Sequence, residues 1–323
     1  MPEVVQTRGP VVESVHPFSI AVVRDGALVE VVGDDRHTTF RSAAKPFQLA
    51  CSLEVLGDPE LPEDEIAIGA ASHSGEPAHL EVVLRLLARF GLAPSGLRCG
   101  AHPPVHDPSA RAILRAGGDF TDLHNNCSGK HSFMLAASAR AGWDLDYRPP
   151  KHPLQALARA RLEAFADVAV DLATDGCGVP TFILPLSAVA RSWGRVATAM
   201  RAVEAGDAID APAARLGRIG WAMARRPDLT SGTGRLDQDV VRGAREPMAA
   251  KIGAMGLFCV ALPRRGLGLA VKVASGSSDA LPAAVAWAID RAAPGSFAEP
   301  GSWALRDVHS VVGAVVGRWA ATG

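Results

Sequence analysis

Two apolar runs near the N-terminus, Ser19-Ile-Ala-Val-Val-Arg24 and Ala27-Leu-Val-Glu-Val-Val32, flank Asp25-Gly26. Both turn positions accept positive φ, so the pattern predicts a hairpin of two antiparallel strands. Near the other end, Gly256-Leu-Phe-Cys-Val-Ala-Leu262 and Leu267-Gly-Leu-Ala-Val-Lys-Val-Ala274 enclose Pro263-Arg-Arg-Gly266 and predict a second hairpin. Between them the apolar spacing turns helical. Leu80, Val83, Leu84 and Leu87 form one stripe, with Pro77 near its start and Gly91 after its end. Similar patterns predict helices over about 129–141, 153–166, 210–225 and 240–254, and two more over about 280–292 and 304–319 after the second hairpin. No internal repeat, low-complexity segment or linker divides the chain. The economical topology is α+β: one domain over 1–323, with a single antiparallel sheet from both chain ends, helices packed on it, and a helical region at roughly 100–250 inserted between.

Composition narrows the function classes. The 323 residues are 48% hydrophobic and 21% charged, enough for a large core and incompatible with disorder or a coiled coil. A net charge of -1 gives no field to attract nucleic acid or an anionic membrane, so neither is expected as a partner. The first ten residues have no basic stretch leading into an apolar core, and no segment approaches the roughly 18 apolar residues of a membrane span. A soluble, cytoplasmic protein is expected. Its five cysteines, Cys51, Cys99, Cys127, Cys177 and Cys259, are an odd number without an export signal and are expected to be reduced.

The chain has five lysines, Lys45, Lys130, Lys151, Lys251 and Lys272, against 28 arginines. Where Arg is so preferred for plain charge, a lysine marks either an indifferent position or one that needs a compact, deprotonatable amine. Arg41-Ser-Ala-Ala-Lys-Pro-Phe-Gln48 follows the extended-looking Thr38-Thr-Phe40. On a first helical turn Ser42 and Lys45 share a face, which permits a Ser-Lys nucleophile and base; the same spacing also occurs by chance. Pro46 is tolerated in a first turn. In Ala70-Ala-Ser-His-Ser-Gly-Glu-Pro77, Ser72 and Ser74 stand among small residues that leave room for a ligand, and they could equally cap the following helix.

Cys51 and Cys259 lie in apolar runs and read as small core residues. Cys127, in His124-Asn-Asn-Cys-Ser-Gly-Lys-His131, and Cys177, in Asp175-Gly-Cys-Gly-Val-Pro180, sit among polar residues and read as the exposed site cysteines. Two thiolates, completed by His131, Asp175 or the Lys130 amine, would suit zinc, although the spacing is not that of a zinc finger; a helix start with a polar turn is the alternative. Lys251 is expected to end the 240–254 helix, where electrostatic capping is ordinary. Lys272 falls on a strand, and Lys151, flanked by Pro150 and His152, reads as surface.

Taken in order, these five motifs resemble the rhizobial-type (class 3) L-asparaginases along nearly the whole chain. The resemblance implies a fold like that of serine β-lactamases, penicillin-binding proteins and glutaminases. It further implies two Ser-Lys tandems in one pocket, Ser42 with Lys45 and Ser74 with Lys251, as catalytic residues; adjacent lysines lower one another's pKa. Cys127, Lys130 and Cys177 correspond to zinc ligands, with Arg41, His131 and Asp175 holding the substrate's ammonium and carboxylate. The implied reaction is hydrolysis of L-asparagine to L-aspartate and ammonia through an acyl-enzyme, with Ser42 favoured as nucleophile, zinc as a positioning element, and a homodimer as the assembly. Three positions depart from the family pattern: Met255 replaces an acidic residue, Ser275-Gly-Ser-Ser-Asp279 replaces Asp-Gly-x-x-Arg, and Phe133 replaces a glycine. Competing readings are a glutaminase or penicillin-recognising enzyme, and a non-catalytic zinc- or amino-acid-binding protein.

Overall fold

The computed structural model describes residues 1–297, 303–304 and 306–323. The chain opens with strands β1 (Glu3–Arg8), β2 (Val11–Arg24), β3 (Ala27–Val32) and β4 (His37–Thr39), then a 3₁₀ turn at Arg41–Ala44. Helices α1 (Lys45–Leu56), α2 (Glu63–Gly69), α3 (Pro77–Arg89), α4 (Asp107–Arg115), α5 (Ser128–Ala141) and α6 (Pro153–Ala166) follow. After β5 (Asp171–Thr174) and β6 (Pro180–Pro185) come α7 (Leu186–Ala205), α8 (Ala211–Arg225), α9 (Pro227–Thr230) and α10 (Leu236–Gly243). Strands β7 (Ala249–Gly253), β8 (Leu257–Leu262) and β9 (Leu267–Val273), helix α11 (Leu281–Ala292), and strands β10 (Arg306–His309) and β11 (Val315–Thr322) complete the order.

The main sheet is antiparallel and runs β10-β11-β1-β2-β9-β8-β7, with β3 on the second half of the long β2. It is built from both chain ends, as the two hairpins predict. Arg24 pairs with Ala27 across Asp25 and Gly26, both at positive φ. Leu262 pairs with Leu267 across the second turn. A smaller sheet, β4-β6-β5, braces the start of the helical region.

Alternation along the strands divides the core. Ile20, Val22, Val260, Leu269 and Val271 face α11, whereas Ala21, Val23, Cys259, Ala261 and Ala270 face α7 and the other helices. Lys251 lies opposite Cys259 on β7, so its side chain enters the helical layer.

Two expected helices are corrected. The 240–254 segment is the end of α10 followed by β7, because Met248-Ala-Ala-Lys-Ile252 alternates between the two core faces. The 304–319 segment holds β10 and β11, where β-branched Val308, Val315 and Val316 flank a turn at Gly313 with φ +86°. The longest helix, α7, lies across β2 and β9 and was not predicted.

Candidate functional site

Strand β4 pairs with β6 and delivers the turn that carries Ser42. Phe40 N–H donates to Phe182 O at 2.8 Å, and Arg41 N–H to Thr181 Oγ1 at 3.0 Å. These bonds hold Arg41 at φ +47°, a conformation costly for a residue with a Cβ and concentrated at functional sites. Ser42 is half-buried, and its turn packs against β7. Arg41 Nε donates to Asp175 Oδ1 at 3.0 Å, across from the β5–β6 loop.

Lys45 begins α1, with Pro46 in the first turn as expected. Its fully buried amine donates to Ala71 O at 2.6 Å, Ser72 Oγ at 2.8 Å and Asn126 O at 3.3 Å. These described bonds join the lysine to Ser72; none reaches Ser42 Oγ. Ser72 and Ser74 are both buried, and neither caps α3: Glu76 is its N-cap, in a reciprocal box with His79. Between the serines, His73 accepts from Gly75 N–H at Nδ1, leaving Nε2–H to donate to Ser128 Oγ at 2.9 Å. Burial holds this histidine well below its ordinary pKa, so it is neutral.

Ser74 donates from its N–H (2.8 Å) and its Oγ (3.2 Å) to Ser231 O. The backbone comes this close because residue 232 is glycine, at φ +139°; a Cβ there would stand 2.3 Å from Ser74 Oγ. Ser231 Oγ donates to Asp237 Oδ1, and Asp237 Oδ2 accepts from Lys251 Nζ at 3.3 Å. Lys251 is fully buried and also donates to Ile252 O at 3.1 Å. Burial brings its pKa down from 10.5 to about 8, with Asp237 opposing the shift and Lys45 and Arg235 adding to it.

On the first turn of α5, Lys130 Nζ donates to Cys177 Sγ at 3.3 Å. Cys127 and Cys177 are only 7% and 6% exposed, so the expectation of exposed cysteines is corrected: their polar neighbours line an interior cluster. The neighbouring Cys177 and the charges of Lys45 and Lys130 hold Cys127 well below the ordinary thiol range despite burial. In turn Cys127 and burial raise Cys177. Burial works against the Lys130 charge, but the two sulfurs and Asp175 outweigh it and raise its pKa. Among the described residues no three His, Cys, Asp or Glu side chains converge as a metal site. Two sulfurs and one amine do converge.

His131, also on α5, is buried, and its Nδ1 lies 3.0 Å from Tyr147 Oη. Arg98 N–H donates to the same phenol oxygen at 3.0 Å, so Tyr147 ties the imidazole to the backbone at residue 98. The imidazole Nε2 is buried without a partner among the described residues. Burial, then the charges of Lys130, Lys45 and Arg148, keeps His131 neutral.

A model of the L-asparaginase II family matches residues 4–321. The chain belongs to that family. It is an amidohydrolase on that ground. No curated protein sequence matches it. Among solved structures it is similar to a beta-lactamase from Mycobacterium bovis at 16% identity, covering 85% of this chain and 90% of that one with a TM-score of 0.43. It is also similar to the transpeptidase domain of a D,D-transpeptidase from Legionella pneumophila (13% identity, 79% and 77% covered, TM-score 0.35). A class C beta-lactamase gives 12% identity, 81% and 88% covered, and a TM-score of 0.39.

In this L-asparaginase II chain the residues singled out in sequence fall into linked groups: Arg41 with Asp175, Lys130 with Cys177 and Cys127, and Lys45 and Lys251 close enough to repel. Neither expected Ser-Lys tandem is joined by a direct hydrogen bond among the described residues. Lys45 reaches Ser72, and Ser74 is linked to Lys251 through Ser231 and Asp237. Ser231, Asp237 and Tyr147 carry no sequence signal of their own; the small-residue run Thr230-Ser-Gly-Thr-Gly234 was the available hint. Phe133, where the family pattern has glycine, is buried against Gly69 of α2, so the ring is housed by a glycine elsewhere. Lys272 is committed to Met255 O, and Lys151 is exposed.

Proposed function

We propose that this amidohydrolase converts L-asparagine to L-aspartate and ammonia, with Ser42 as nucleophile, the lysine pair Lys45 and Lys251 as proton acceptors, and Ser74 as the second hydroxyl. The observation that carries this reading is the full burial of Lys251 beside a second buried amine and next to the turn that presents Ser42, a setting that brings its pKa down to about 8. At neutral pH a useful fraction of such an amine is unprotonated, which an ordinary lysine is not. Ser42 Oγ forms the bond to the amide carbon while its proton passes to the lysine pair. That proton returns to the nitrogen as ammonia leaves, and water then hydrolyses the acyl-enzyme.

Arg41 and Asp175 offer the two charges that an α-amino acid needs, the guanidinium for its carboxylate and the carboxylate for its ammonium. They pair with each other at 3.0 Å and are half-buried, so an amino acid bound between them would exchange one ion pair for two. The Nε2 of His131, buried without a partner among the described residues, is held ready to hydrogen-bond a polar group of the substrate.

Cys127, Cys177 and Lys130 fit zinc by their chemistry: two soft sulfurs and an amine already in contact, all of which metal must strip of protons. When bound, zinc supplies a fixed positive charge that orients the site. A cytoplasmic homodimer completes the proposal. The test is ammonia release from L-asparagine and L-glutamine with zinc counted, for wild type and Cys127→Ala. The expected result is faster release from asparagine and loss of zinc in the variant. No ammonia from either amide by zinc-loaded wild type overturns the reading.

A further inference from the structure

Asp237 is a buried carboxylate outside both serine-lysine pairs, on the first turn of α10. Its Oδ2 accepts from Lys251 Nζ and from Ile252 N–H, each at 3.3 Å, and its Oδ1 accepts from Ser231 Oγ. The carbonyl of Ser231 in turn takes both donors of Ser74. Thr233 extends the same segment by donating its N–H (2.8 Å) and Oγ1 (2.9 Å) to Glu76, the residue that caps α3. One carboxylate thus ties the strand bearing Lys251 to the segment on which Ser74 rests.

Stability does not account for such an arrangement. A buried ion pair recovers little more than its desolvation cost, and well-packed apolar residues of the same volume commonly serve as well or better. What the pair supplies is orientation: an amine on a four-carbon stem has several rotamers, and a carboxylate fixed by two other donors selects one. The Ser231 branch has no role in a simple ion pair, yet it is what places the Ser74 hydroxyl relative to that amine.

We propose that Asp237 is a positioning residue that holds the Lys251 amine and, through Ser231, the Ser74 hydroxyl in one arrangement. The proposal rests on the reading of Lys251 and Ser74 as members of the reaction site. The charged and titratable groups around Lys251 are Asp237, Arg235 just before α10, Lys45 from α1 and Cys259 across on β8. The Cys259 thiol is pushed far up by burial and stays neutral. Asp237 is therefore the sole negative charge in the set, and its removal leaves burial and two cations to act on the amine.

The test reads Lys251 directly. With five lysines in the chain, ¹³Cε resonances can be followed against pH, and Lys251→Met identifies the one that matters. In Asp237→Asn the Lys251 midpoint is expected to fall by about one to three units, since it loses an opposite charge in contact. The acid limb of kcat/KM, which needs the free amine, is expected to move to lower pH with it, and kcat to fall more than KM rises. A midpoint that stays at its wild-type value overturns the proposal whatever the activity. A midpoint that moves while wild type releases no ammonia sustains the hold on Lys251 and rejects the amidohydrolase reading of these residues instead.

Ser231→Ala keeps the carboxylate and serves if Asp237→Asn does not fold. It is expected to leave the Lys251 midpoint nearly in place and to lower kcat about tenfold with KM unchanged, the scale of one hydrogen bond to a charged group. Wild-type kcat in Ser231→Ala overturns the link to Ser74.

Discussion

Tyr147 has one hydroxyl and two neighbours that need it. Arg98 N–H donates to its oxygen, and the same oxygen lies 3.0 Å from His131 Nδ1, which fixes where the imidazole ring sits. Tyr147→Phe removes both bonds and frees the imidazole ring to turn. The expected outcome in steady-state kinetics is a KM for asparagine raised about tenfold, the loss of roughly one charge-assisted hydrogen bond, with a smaller change in kcat and unchanged zinc content. An unchanged KM would remove His131 from the substrate's contacts. At this scale the sequence was informative about residue types and poor about partners. A lysine-poor chain made Lys45, Lys130 and Lys251 stand out, but Lys45 reaches Ser72 across 27 positions, a pairing set by tertiary packing. The cysteines were misread as exposed because polar neighbours are the mark of both a surface loop and a buried polar cluster. Tyr147, the only tyrosine, has no local pattern to mark it.

Elements read from turn chemistry or a clean stripe came out well: both hairpins, and the helices at α3, α5, α6, α8 and α11. Helix α7 escaped because small residues are scattered around it rather than grouped in one stripe. Those residues let it press on the sheet. Gly194 of α7 meets Gly268 of β9, where a Cβ on Gly268 would fall 2.1 Å from the Gly194 nitrogen and 2.4 Å from Ala190 O. Gly268→Ala is therefore expected to lower stability by about 1–3 kcal/mol through overpacking, read as a reduced urea midpoint. No loss would mean that helix and sheet part easily, and with them the support of the turn carrying Ser42. The errors at 240–254 and 304–319 have different causes. Strand β7 is buried on both faces, and so short an apolar run is not separated from helix by periodicity alone, whereas β10 and β11 are exposed or half-buried and their β-branched valines were the better guide.

The whole molecule joins residues distant in sequence because its sheet takes strands from both ends: Lys251 comes from the C-terminal part and Ser42 from the N-terminal part. That arrangement makes stability depend on pH in a definite direction. Lys251 binds its proton more weakly folded than unfolded, so between about pH 8 and 10.5 the unfolded chain holds the extra proton and stability rises with pH from this group. His73 and His131, neutral when folded, act at the other end: below about pH 6.5 the unfolded chain protonates them first and stability falls. Urea melts across pH should show both limbs, with the alkaline gain missing in Lys251→Met. If the gain persists in that variant, the lysine is not the group responsible.

Ser42 is proposed as the hydroxyl that reacts. Ammonia release from L-asparagine should be measured in wild type, Ser42→Ala and Ser74→Ala, each with its fold and zinc content verified, and the acyl-enzyme sought by mass spectrometry of the intact chain. Ser42→Ala is predicted to lose turnover by about a thousandfold or more and to form no adduct, as expected when a nucleophile is removed. Ser74→Ala is predicted to retain the adduct at Ser42 while turning over more slowly. An adduct on Ser74, or turnover that survives in Ser42→Ala, would contradict that role for Ser42.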